Sequence, residues 1–217
     1  MAQRSEPTRS SGERTQSREP TRLSRGDLHV WVVALEDDEP AARRRLANEA
    51  LKSILAGYLH LAPGAIELER GPYGKPRLLG EPLRFNLSHS ERVALVAVSA
   101  ELEVGVDVQA PHRATAAPWF ARRVCTQRER QALGRPPDPD ELLRLWVRKE
   151  ALVKARGTGS FLDAGRLDVL EDELPDGYVC RDLELPRPAG YRAAVAFASP
   201  PAPQLKPEPA LLSFRWS

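Results

Sequence analysis

A chain of 217 residues with 41% apolar and 29% charged side chains and a formal charge of +2 at pH 7 has the composition of an ordinary water-soluble protein, with material for one large core or two small ones. So small a net charge, with much of the arginine excess gathered at the N-terminus, gives no reason to expect a polyanionic partner. The two cysteines, Cys125 and Cys180, lack metal-ligand spacing, and no run approaches a membrane span or a secretory signal; reduced thiols, a cytoplasmic location and no membrane attachment are expected.

Residues 1 to 26 carry Ser, Thr, Arg, Glu and Pro with almost no large apolar groups and are predicted to be a disordered tail, because they cannot offset the entropy of ordering. A strand is expected from Leu28 to Leu35. A helix follows from Pro40 to about Leu59, with Leu46, Ala50, Leu51, Ile54, Leu55 and Tyr58 at helical spacing. Gly71-Pro72-Tyr73-Gly74-Lys75-Pro76 reads as a loop, and short strands are expected near residues 65 to 69, 83 to 87, 92 to 99 and 103 to 109. The second half predicts a helix over 116 to 133, a proline-rich break, a helix over 140 to 155, and strands near 166 to 170, 178 to 185 and 191 to 198. Arg92-Val-Ala-Leu-Val-Ala-Val-Ser99 and Arg192-Ala-Ala-Val-Ala-Phe-Ala-Ser199 share one pattern. The fold class is therefore α+β, with two similar halves at 27 to 102 and 103 to 199, and residues 200 to 217 read as a proline-rich tail.

Four segments carry candidate chemistry. In Val104-Gly-Val-Asp-Val-Gln109 the valines take one strand face and leave Gly105, Asp107 and Gln109 on the other. A carboxylate and a carboxamide two residues apart suit a hard cation, although an isolated strand aspartate is more often an exposed charge. Gly105 admits a ligand or another backbone, or marks a bulge. Phe85-Asn-Leu-Ser-His-Ser90 offers hydroxyls and an imidazole that could hold phosphate. Ser88, His89 and Asp107 do not make a hydrolase triad, since adjacent strand residues face apart and no G-x-S-x-G elbow occurs. On the helix 140 to 155, Lys149 falls among Leu142, Leu145, Trp146, Leu152 and Val153, with Glu150 one turn before Lys154. A lysine among apolar neighbours beside a carboxylate points to chemistry; a snorkelling lysine and a surface ion pair are the plain alternative. Gly74-Lys75-Pro76 sets a cation on a stiff loop.

In this order, Gly-Lys-Pro, Phe-Asn-x-Ser-His-Ser, Gly-Val-Asp-Val-Gln and Trp-x-x-Lys-Glu-Ala-x-x-Lys-Ala-x-Gly-x-Gly, the chain resembles the 4'-phosphopantetheinyl transferases over roughly residues 28 to 198. Its length is similar to the monomeric, surfactin-synthetase-activating type. The resemblance implies two halves related by pseudo-twofold symmetry and transfer of the phosphopantetheine arm of coenzyme A to a serine of an apo acyl or peptidyl carrier protein, including those of polyketide and nonribosomal peptide synthesis, with release of 3',5'-ADP. It implies Asp107, Gln109 and Glu150 as ligands of Mg²⁺, with Mn²⁺ as second candidate, and Asp107, Glu150 and Lys154 as the catalytic group, Glu150 accepting the serine proton. Lys75, Pro76, Ser88, His89 and Lys149 would bind the coenzyme, with Arg43 and Lys52 at its 3'-phosphate in a register that Arg44 and Arg45 leave open. Many relatives carry Glu where this chain has Gln109, which removes one negative charge from the metal site. Phe161 would line the carrier-docking cleft. The competing readings are a catalytically silent coenzyme A binder, in which Gln109 marks a lost metal site, and a nucleic-acid-binding tail, against which the interspersed acidic residues and the lack of a recognition motif argue.

Overall fold

The computed structural model describes residues 22–71, 73–80, 82–111, 118–158, 161–186, 190–199 and 208–214. Strand β1, Leu28–Ala34, leads into helix α1, Pro40–Leu59. Pro40 can open the helix because the first helical N–H has no intrahelical partner, and His60 ends it in the left-handed conformation with its N–H on the Ala56 carbonyl. A small hairpin of β2, Leu68–Arg70, and β3, Pro76–Leu78, is followed by the longer hairpin of β4, Arg84–Ser90, and β5, Val93–Ser99. The second half contains β6, Val104–Gln109, the short helices α2, Pro118–Val124, and α3, Gln127–Ala132, the long α4, Pro139–Arg156, and strands β7, Tyr178–Asp182, and β8, Arg192–Ala198.

In the first half β5 pairs antiparallel with both β1 and β4; in the second, β8 pairs antiparallel with both β6 and β7. The repeated octads thus supply the central strand of each unit, and first, last and middle strands take the same places in both. Alternation of side chains then builds four layers. Trp31, Val33, Val96 and Val98 face α1 through Leu51, Ile54 and Leu55, whereas Leu28, Val30, Leu95 and Ala97 meet Val104, Val106, Val108, Val195 and Phe197 of the second sheet. Leu142, Leu145, Ala151 and Leu152 of α4 pack with Ala194 and Ala196 on the second sheet's far side. A central strand covered on both faces needs a continuous apolar run, and all seven residues of β5 are buried.

Three expectations change. The helix anticipated over 116 to 133 is two helices, since Thr126 and Glu129 form a reciprocal capping box that starts α3 afresh. No strand forms over 166 to 170: the Val169 N–H donates to Glu129 and its carbonyl accepts from Arg148 Nε, so side chains take the bonds a ladder would have used. The proline-rich tail read over 200 to 217 contains a strand: residues Ala210–Phe214 form β9, parallel to β1 at the edge of the first sheet, with Leu212 and Phe214 against the first core. Of the N-terminal tail, residues 1 to 21 lie outside the described residues, while Leu23 already packs on the first core. Among the described residues no helix is long and apolar enough to cross a membrane, and both cysteines are buried free thiols.

The packing of α4 on β6 depends on Gly105. A Cβ there would lie 2.1 Å from the Ala151 carbonyl oxygen and 2.3 Å from the Ala155 nitrogen, so the close neighbour that this glycine admits is the helix backbone. Gly105→Ala is expected to push α4 off the strand and lower stability by about 2–3 kcal/mol, measured as a lower urea midpoint; an unchanged midpoint would show that the helix can yield at no cost.

Candidate active site

Helix α4 carries two of the expected residues into the centre of the molecule. Asp138 caps it by accepting from the Asp140 N–H, Asp140 and Glu141 favour its positive N-terminal end, and Gly157 closes it in the left-handed conformation. Glu150 and Lys154, four residues apart, share one face, and the contact at Gly105 sets that face against β6. Lys154 Nζ donates to Asp107 Oδ1 at 2.6 Å, Ser88 Oγ at 3.1 Å and the Val106 carbonyl at 3.3 Å. Ser88 Oγ donates to Asp107 Oδ1 at 2.7 Å, and Gln109 Nε2 to Asp107 Oδ2 at 3.2 Å. Asp107 is only 1% exposed and Glu150 6%. Burial raises the Glu150 carboxyl from the ordinary 4.5 to about 7, the nearby Asp107 charge adds to the rise, and Lys154 opposes it.

The alternation of β4 explains how the serine motif serves this cluster. Asn86, Ser88 and Ser90 point toward the second sheet, where Asn86 Oδ1 accepts the Val106 N–H at 2.9 Å and Ser90 Oγ the Ala110 N–H at 3.0 Å. Phe85 and Leu87 turn to α1, and the same alternation carries exposed His89 to that side. Its imidazole is held below the usual histidine value by burial and then by the charges of Arg44, Lys154 and Arg43. Both Arg44 and Arg43 thus lie near enough to act on His89, and the Arg43 guanidinium also donates to the carbonyls of Asp37 and Asp38. Lys52 lies more than two turns further along α1 and is exposed; it is not brought to the cluster. Lys75 and Pro76 line a cavity of about 130 Å³ together with Arg84, Phe85, Glu103 and Gly157, and Lys75 Nζ donates to the Val104 carbonyl at 3.0 Å.

Lys149 is placed elsewhere, which corrects its expected part in coenzyme binding. One helical step from Glu150, its fully buried ammonium contacts Glu129 Oε2 at 2.7 Å and donates to the carbonyls of Ala164, at 2.8 Å, and Leu167. Those three acceptors use all its hydrogens. Glu129 in turn accepts the N–H groups of Thr126 and Val169. The pattern T-x-x-E over 126 to 129 was the available signal for this carboxylate, and the alternation of Asn86, Ser88 and Ser90 the signal for the polar face of β4. Phe161's side chain lies outside the described atoms.

The oxygen donors around Asp107 suit a hard divalent cation: two carboxylates and the Gln109 carboxamide, whose buried Oε1 has no hydrogen-bond partner among the described residues. No group of three or more His, Cys, Asp or Glu side chains with metal-binding placement occurs among those residues, so the third protein ligand would have to be that amide oxygen. The family model of the 4'-phosphopantetheinyl transferase superfamily matches residues 103–196, from β6 through most of β8. The 4'-phosphopantetheinyl transferase HetI of Nostoc is 36% identical over 165 residues, covering 61% of this chain and 70% of that protein. The chain belongs to the 4'-phosphopantetheinyl transferase superfamily. Escherichia coli AcpT, also named a 4'-phosphopantetheinyl transferase, is 37% identical over 57% of the chain and 64% of its own length. The human L-aminoadipate-semialdehyde dehydrogenase-phosphopantetheinyl transferase is 26% identical over 71% of this chain and 60% of its own. The superfamily match contains Asp107, Gln109, Glu150 and Lys154, whereas Lys75, Ser88 and His89 precede it.

Two outcomes follow from these placements. Between pH 4.5 and 7 folded Glu150 keeps a proton that the unfolded chain has released, so this group's contribution to stability falls as pH rises through that window. In chelator, Glu150→Gln is expected to match the wild type near pH 4.5 and to exceed it above pH 7 by on the order of 2–3 kcal/mol, read from urea titrations at several pH values. Lys149→Met leaves Glu129 as an uncompensated buried charge and is expected to cost about 3–5 kcal/mol, with coenzyme A affinity of the folded protein unchanged by calorimetry.

Proposed function

We propose that the protein transfers the 4'-phosphopantetheine arm of coenzyme A to a serine hydroxyl of an apo acyl or peptidyl carrier protein and releases 3',5'-ADP. The observation that carries this reading is the convergence of Asp107, Glu150, Lys154 and Ser88 in one buried cluster beside the cations of α1, in a chain of this superfamily. The cavity at Lys75, Pro76 and Arg84 would take the nucleotide, and His89 with Arg44 would meet phosphate. In the reaction the serine oxygen bonds to the phosphorus that bears pantetheine, and the phosphoanhydride bond to the nucleotide breaks. Glu150, held near neutrality, is suited to accept the serine proton, and Lys154 to stabilise charge on the leaving nucleotide. Asp107, Gln109 and Glu150 would hold Mg²⁺ or Mn²⁺, which when bound neutralises charge on the diphosphate.

The surfactin-synthetase-activating type, a pseudo-twofold relation of the halves and a monomeric state belong to the same reading. They are supported by the matching strand orders and by a cluster drawn from both halves of one chain. A cytoplasmic setting accords with the free thiols. A silent coenzyme A binder gains no support: such a protein has no use for a buried acid adjoining Asp107 and Lys154.

The test incubates the protein with coenzyme A, Mg²⁺ and a panel of apo carriers and looks by mass spectrometry for one added phosphopantetheine. Asp107→Ala and Glu150→Gln are expected to reduce transfer at least about 100-fold with the fold retained by circular dichroism. Lys154→Ala is expected to lower kcat more than it raises KM for coenzyme A. Full activity of Glu150→Gln would remove its assigned role.

A further inference from the structure

Glu103, just before β6, reaches across the cavity at Lys75. Its Oε2 lies 3.3 Å from Lys75 Nζ and its Oε1 3.0 Å from Arg84 Nε, and all three residues line the same space. The carboxylate is 47% exposed, the Lys75 side chain 20% and Arg84 30%. Two cations converging on one carboxylate make the arrangement that an incoming phosphate oxygen would meet. We infer that Glu103 is an internal anion that occupies the cationic lining of this cavity and sets how tightly coenzyme A binds, an inference that rests on the proposed function.

The fold does not require this bridge. Ion pairs open to water contribute little to stability, Lys75 has a second partner in the Val104 carbonyl that does not involve the Glu103 carboxylate, and β6 is held by its pairing with β8. Burial pulls the Lys75 ammonium below the ordinary lysine value, and Glu103 opposes that pull; the cation is therefore better off with an anion against it. A ligand phosphate can supply that anion with more charge than a carboxylate. While Glu103 remains, however, it both competes for the two cations and repels the newcomer. Glutamine in its place keeps the shape and removes the charge.

Isothermal titration of coenzyme A and of 3',5'-ADP into the wild type, Glu103→Gln and the double variant Glu103→Gln/Lys75→Met tests the inference at low and high salt. Glu103→Gln is expected to bind coenzyme A about three- to ten-fold more tightly at low salt, with the gain shrinking as salt rises. It should keep the wild-type Tm, and adding Lys75→Met should remove most of the gain. Unchanged or weaker binding by Glu103→Gln, in a wild type that binds coenzyme A and modifies a carrier, overturns this inference alone, as does a gain that survives loss of Lys75. A wild type that binds neither ligand overturns the functional reading together with the inference.

Discussion

The structure depends on how one strand edge is satisfied. β6 pairs with β8 on one side only, and an edge strand leaves a row of backbone groups that must find partners if buried. Here side chains supply them: Lys75 and Lys154 donate to the carbonyls of Val104 and Val106, while Asn86 and Ser90 accept the N–H groups of Val106 and Ala110. The donors and acceptors come from the first hairpin's loop, from β4 and from α4. A polar seam thus joins the halves beside the apolar layer between their sheets, and Asp107 lies on it. The seam also decides which residues can be chemical. Lys154 reaches Asp107 while closing this edge at the Val106 carbonyl, and Ser88 reaches it because it shares a strand face with Asn86 and Ser90, which close the edge on either side.

Adjacent residues on α4 do different work for a geometric reason. A helix turns about 100° per residue, so Lys149 and Glu150 leave the axis in different directions although they are neighbours in sequence. Lys149 ties the helix to Glu129 and to the carbonyls of Ala164 and Leu167, and Glu150 faces the seam. A buried pair of this kind costs desolvation and is tolerated only when its remaining hydrogen-bonding capacity is met, as it is for both partners here. Gly105 adds the third constraint, by letting the helix backbone touch the strand.

Much of this was legible in residue order. The face assignment of Gly105, Asp107 and Gln109 followed from strand periodicity, and the shared octads pointed to two similar halves, although their place as central strands buried on both faces emerged only from the fold. The part of Lys149 was not legible, since helical pitch tells that a residue faces inward but not which distant carboxylate it will meet; Glu129 lies twenty positions earlier. Nor could the bonds from Arg43 to the carbonyls of Asp37 and Asp38 be read from sequence, since they depend on how the loop before α1 turns. The last strand escaped notice because a run of prolines leads into it, and a parallel edge strand shows no alternation strong enough to stand against them.

That last strand carries a consequence for how the protein is made. β9 follows every other described strand in the chain, yet it belongs to the sheet that β1 began. The N-terminal unit therefore cannot be finished on the ribosome in the order in which it emerges: until Leu212 and Phe214 arrive, β1 keeps an unpaired flank and its core an open side.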